Sequence, residues 1–161
     1  MFYNCSALTT WDIELPSLTD GTVMFYGCYG LTAFNSDLSA LSIGTSMFRF
    51  CYGLTAFDAD LSSLTNGNYM FYDCYNLTAF DSNLGSLDYG RYMFMSCSAL
   101  TTFSSNLTNL TQAEYMFYNC SALSTFNSSD LSSLKDGYYM FNKCYNLTAF
   151  NCNDLSSLTR G

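Results

Sequence analysis

The pair Met-Phe stands at residues 1, 24, 47, 70, 93, 116 and 140, so the chain returns to the same two side chains every 23 residues, with one interval of 24. Each return opens the same frame, M-F-x-x-C-x-x-L-[TS]-x-F-x-x-x-L-x-x-L-x-x-G, as in MFYGCYGLTAFNSDLSALSIGTS at 24–46 and MFYDCYNLTAFDSNLGSLDYGRY at 70–92. The copies divide the chain into segments 1–23, 24–46, 47–69, 70–92, 93–115, 116–139 and 140–161. One such segment is too short to bury its own apolar face. A stack of them can, because each large side chain removed from water contributes ~1.5–3 kcal/mol and adjoining copies supply the cover. The expected architecture is a repeat solenoid forming one elongated domain over 1–161, an excerpt of a longer repeat array.

The period falls in the range of leucine-rich repeats, which place one short parallel β-strand in each coil and turns or short helices on the opposite side. The best strand candidate is the L-T-A-F-D-S segment, where alternation is clear. Trp11, Phe34, Phe57, Phe80, Phe103, Phe126 and Phe150 are expected to point inward. The mostly small row two residues on, Ile13, Ser36, Ala59, Ser82, Ser105, Ser128 and Cys152, should share that face. Between them stand Asp12, Asn35, Asp58, Asp81, Ser104, Asn127 and Asn151, all polar and so expected outside. The glycines at 21, 44, 67, 90, 137 and 161 are expected to permit a turn of positive φ. Ala113 replaces glycine in the fifth copy, which predicts a local rearrangement with one more helical turn. One extra residue in NSSDL and in NCNDL predicts a bulge at the strand exit of the last two copies.

Cys5, Cys28, Cys51, Cys74, Cys97, Cys120 and Cys144 form a structural ladder, with Cys152 outside it. Parallel side-chain vectors on in-register coils do not converge as a disulfide requires. Zinc needs clustered Cys or His, whereas the chain has no His and no C-x-x-C. Buried thiols acting as small apolar units are the expected state. The oxygen-rich positions Glu14, Asp37, Asp60, Asn83 and Asn106 raise a calcium ladder against a plain solvated, turn-favouring face, and the G-G-x-G-x-D motif of calcium solenoids is absent. No metal or other cofactor is expected.

Tyr26, Tyr72 and Tyr118, with Tyr3, follow the Met-Phe pair, while Tyr29, Tyr52, Tyr75 and Tyr145 follow the cysteine. They are either rigid contact area for a ligand or cover over neighbouring coils. Thirteen acidic against 5 basic residues give a net charge of −8 and no basic patch for nucleic acid. No apolar run reaches the ~20 residues of a membrane-spanning helix. Without a histidine base, and with regular stacking rather than a cleft, an enzyme is not expected.

The frame F-x-x-C-x-x-L-x-x-F followed by L-x-x-L-x-x-G resembles the BspA-like subclass of leucine-rich repeats, with Phe25, Cys28, Leu31, Phe34 and Gly44 on its landmarks. Met replaces the Ala before Phe, Phe replaces the first strand Ile, and the usual proline is missing, Pro16 being the only one in the chain. The resemblance implies a right-handed solenoid from a bacterial, protist or phage surface protein, placed at the cell surface, outside the cell or on a virion. It also implies adhesion to protein or glycan ligands and brings no catalytic residues. The expected ligand surface is the outward strand row, with Tyr26, Tyr72 and Tyr118 close enough to stack on sugar faces. The competing expectation is a structural spacer or filament subunit whose uncapped ends stack on other copies.

Overall fold

In the computed structural model, which describes residues 1–128 and 130–161, each coil is a short extended segment joined to the next by successive turns. The strands are β1 (Ala33–Phe34), β2 (Ala56–Phe57), β3 (Ala79–Phe80), β4 (Thr102–Ser104), β5 (Thr125–Asn127) and β6 (Ala149–Asn151). All pair in parallel and in register, β1 with β2, then β3 through β6 in order. A second row of parallel bridges runs through Asp20, Ile43, Asn66, Tyr89, Gln112, Asp136 and Arg160, so each coil is tied to its neighbour along two sides. The ladder lapses between β2 and β3, where the Thr78 N–H reaches the Thr55 carbonyl at 3.5 Å, against 2.9 Å for Thr55 to Thr32 and for Thr101 to Thr78.

Turns rather than helices make the remaining sides among the described residues. The L-x-x-L spacing is that of one turn: the Leu41 N–H donates to Leu38 O at 2.8 Å, and the Asp37 carboxylate accepts the Ser39 N–H at 2.8 Å to start it. Asp60, Asn83, Asn106, Asp130 and Asp154 repeat that contact, so of the positions that suggested a calcium ladder all but Glu14, which accepts the Asp37 N–H of the next coil at 2.6 Å, cap a turn. Among the described residues no group of three or more His, Cys, Asp or Glu side chains is arranged to hold a metal.

Seven side chains per coil meet inside. In the fourth coil these are Met70, Phe71, Cys74, Leu77, Phe80, Leu84 and Leu87, none more than 1% exposed. Two phenylalanine columns interlock. Phe71 stacks on Phe94 at 5.3 Å and Phe80 on Phe103 at 5.7 Å, while Phe80 meets Phe94 edge-on at 4.7 Å. Each such pair contributes ~0.5–1.5 kcal/mol beyond its area burial. The column Phe34, Phe57, Phe80, Phe103 and Phe126 is buried, as the alternation predicts.

The ends depart from it. Phe150 is 42% exposed and Ile13 62%, because the terminal coils have a neighbour on one side only and the Ile13 carbonyl is drawn to Trp11 Nε1 at 2.7 Å. The expected bulge in NSSDL falls partly on Ser129, outside the described residues. In NCNDL there is none in the ladder: β6 pairs with β5 residue for residue, and the extra residue is taken up after it, at a bend at Asn153.

The glycine expectation is wrong in an instructive way. None of Gly21, Gly44, Gly67, Gly90 and Gly137 has a positive φ. They are needed for space: a Cβ on Gly21 would sit 2.5 Å from Met47 Sδ, and one on Gly44 2.9 Å from Met70 Sδ. The approach of the methionine sulfur eases from 2.5 Å at Gly21 through 2.9 and 3.0 Å to 3.2 Å at Gly90, and Ala113 is the next residue in that row. Accordingly Ala113 causes no rearrangement and adds no helical turn. Its carbonyl accepts the Met116 N–H at 3.0 Å, as Gly90 accepts that of Met93 at 3.2 Å.

The left-handed conformation instead falls on two rows of mostly non-glycine residues. One is Val23, Ser46, Tyr69, Tyr92, Tyr115 and Tyr139; the other is Asn4, Gly27, Phe50, Asp73, Ser96, Asn119 and Lys143. Such a residue costs ~1–2 kcal/mol unless it is glycine. Intercoil hydrogen bonds offset this: Tyr69 N–H donates to Arg91 O and Asp73 N–H to Met95 O, both at 2.9 Å.

Candidate functional site

The strand face carries two outward stripes, set by the alternation that turns each Phe inward. Asp12, Asn35, Asp58, Asp81, Ser104 and Asn151 are exposed and Asn127 is half-buried. Beside them Thr10, Ala33, Ala56, Ala79 and Thr102 are exposed, with Thr125 and Ala149 half-buried. No large side chain interrupts either stripe. Two troughs of different chemistry run along this face, one taking in both stripes and the other the polar stripe alone. Toward the N-terminus, Thr10, Asp12, Ala33, Asn35, Ala56 and Asp58 line one. Toward the C-terminus, Asp81, Asn83, Ser104, Asn106, Asn127 and Asn151 line a longer one, dominated by amides and hydroxyls.

Tyrosine lines neither trough, so Tyr26, Tyr72 and Tyr118 are not placed to stack on a ligand lying along the strands. All three are half-buried in a separate seam that begins with Tyr3 stacked on Tyr26 at 4.7 Å. It continues through Phe50 and Tyr72 to Tyr69, Tyr92 and Tyr115, with Tyr69–Tyr92 at 4.7 Å and Tyr92–Tyr115 at 5.0 Å. Sequence reading missed the part of this seam that precedes the methionine, Tyr69, Tyr92, Tyr115 and Tyr139. Its one visible signal was the repetition of Tyr at that place. A shorter stack, Tyr29, Tyr52 and Tyr75, follows the cysteines at 5.0 and 4.9 Å.

The cysteines sit behind this seam. Cys28 through Cys120 are buried, Cys144 is half-buried and Cys5 is exposed, all as free thiols. Each Sγ–H of the row from Cys28 to Cys144 donates to a Phe carbonyl of the preceding coil, for example Cys74 to Phe48 O at 3.2 Å and Cys120 to Phe94 O at 3.0 Å. Burial pushes the thiols up, Cys144 to about 11 and Cys74, Cys97 and Cys120 well above the ordinary thiol range. A nucleophile needs the thiolate, so these groups pack and hydrogen-bond rather than react.

Stacked parallel strands, a leucine, phenylalanine and cysteine core and an uninterrupted polar strand face define a leucine-rich-repeat solenoid with surfaces suited to binding. The family model for the BspA type leucine rich repeat region matches residues 19–148 in six copies, and the chain belongs to that family. No curated protein and no solved structure matches it significantly. Repeats of this kind generally mediate protein binding or adhesion, and the proteins that carry them are often surface-associated. No helix long and apolar enough to cross a membrane is present among the described residues.

Proposed function

We propose that this chain is a non-catalytic recognition module of a bacterial or phage surface protein that holds an extended protein or glycan ligand along its strand face. The observation that carries this reading is the continuity of the two small and polar stripes over all the coils, about 30 Å at the usual strand spacing. Folding alone does not require both stripes to avoid large side chains. A row of short acceptors suits a ligand that itself repeats.

The test is to find a ligand on a glycan and matrix-protein array, then substitute Asp58→Lys and Asp81→Lys together and measure binding again. A loss of about tenfold or more is expected from reversed charge and added bulk in the path of the ligand. Unchanged binding removes the strand face from consideration.

A further inference from the structure

The row after Met-Phe holds tyrosine in four coils but Arg49 in the third, and the surroundings of that arginine are unlike those of any other cation in the chain. Its guanidinium carbon lies 4.5 Å from the ring centre of Tyr72, 4.7 Å from Phe50, 5.2 Å from Tyr69 and 5.9 Å from Tyr26. Phe50 and Tyr69 belong to the two left-handed rows, with φ of 64° and 59°, so the unusual backbone helps bring both rings to this place.

Arg91 is paired with Glu114 at 2.8 Å and Arg160 with Asp136 at 3.0 Å, whereas no carboxylate lies within ion-pair distance of Arg49 among the described residues. The carboxyl of Asp73, beside it in the seam, makes no ion pair with Arg49, although the guanidinium lies near enough to favour its charged form against the cost of burial. Arg49 Nε is buried and donates to nothing, the one such side-chain nitrogen or oxygen among the described residues. A tyrosine, as in the neighbouring coils, would cover this surface without stranding a buried donor. The rings hold the guanidinium in place, and its charge, felt by the nearby Asp73 carboxylate, is not closed into an ion pair.

We propose that Arg49 with Tyr26, Phe50, Tyr69 and Tyr72 forms a subsite for a carboxylated sugar, a uronic or sialic acid unit of a glycan. The guanidinium receives the carboxylate, where a fork of N–H donors matches two oxygens. Phe50 and Tyr72, which meet edge-on and are stacked on no other ring, receive the C–H face of the pyranose ring, while Tyr26 and Tyr69, stacked on Tyr3 and Tyr92, hold the guanidinium. This rests on the binding-module reading but uses a different side of the coil from the strand face.

The test titrates the chain with sialyllactose and trigalacturonate, with neutral lactose and with triglycine, a peptide carboxylate, while following the Arg49 Nε–Hε resonance. Variants R49K and R49M accompany the native chain. Met95 occupies the same row, so the repeat accommodates methionine there, and thermal melting verifies the fold. At least one acidic sugar should move the Arg49 signal while lactose and triglycine do not. R49M should weaken that binding about tenfold or more, and R49K by less, since lysine keeps the charge and loses the fork. The Asp58→Lys and Asp81→Lys double variant should leave it unchanged, which separates failure of this subsite from failure of the strand face. The proposal is overturned by silence from both acidic sugars, by binding in R49M within about twofold of native, or by triglycine binding as well as the sugars.

Discussion

Phe80 and Phe150 occupy the same place in the repeat, pair in register within one sheet and follow the same L-T-A tripeptide, yet one is 1% exposed and the other 42%. The same holds for Cys74, buried with its thiol on the Phe48 carbonyl, and Cys5, exposed at the first coil. Burial of a given side chain here follows from having a coil on both sides; of the two terminal members of the phenylalanine row only the larger Trp11 stays buried, at 7%. Each coil therefore relies on its neighbours to offset chain entropy.

Truncation sharpens the comparison most. Phe80→Ala should cost about 3–5 kcal/mol in denaturant unfolding, because it empties a site between two phenylalanine columns, while Phe150→Ala should cost about 1. Equal losses would mean that position in the stack does not govern burial.

A smaller contrast comes from the glycine row. Gly44→Ala drives a Cβ into Met70 Sδ and should cost about 1–3 kcal/mol as overpacking. Gly137→Ala, with its nearest neighbour at 3.5 Å, should change stability by less than about 0.5. Similar penalties at both sites would contradict a steric role and restore a conformational one.

Period and alternation made the solenoid, the parallel strands, the inward phenylalanines and the cysteine row legible in the sequence. The role of the glycines was not legible, because a glycine kept for lack of space and one kept for positive φ look the same in a sequence. The left-handed rows were hidden for a related reason: Tyr92 and Val23 disfavour that conformation, and only hydrogen bonds to the next coil hold them there. The strand-face stripes could be read from alternation, whereas the distance between them and the tyrosine seam depends on how the coil turns its corners. The setting of Arg49 draws on residues from three copies of the repeat, which reading one copy at a time does not assemble.

The smallest expected effect tests those rows. Ser46 is left-handed at φ 55° and buried, so Ser46→Gly should stabilise the chain by about 1 kcal/mol, the reverse of the usual effect of a glycine. Destabilisation in thermal or denaturant unfolding would show that the conformation is not the source of strain.

Thiol labelling along the whole cysteine row tests the central claim most directly, since the seven groups have one place in the repeat and differ in their place in the stack. Reaction of the native protein near pH 8 with an alkylating reagent, resolved by peptide mass, should be fast at Cys5, intermediate at Cys144 and slowest at Cys74, Cys97 and Cys120. Burial that raises the Cys144 thiol from an ordinary 9.0 to about 11 also links protonation to folding. Its contribution is fully present below about pH 9 and is lost as the pH rises toward 11, so protection of this end should fall across that window. A graded profile that peaks in the interior coils and weakens at the ends is the predicted result; uniform rates, or rapid labelling of Cys74, would contradict the stacked interior.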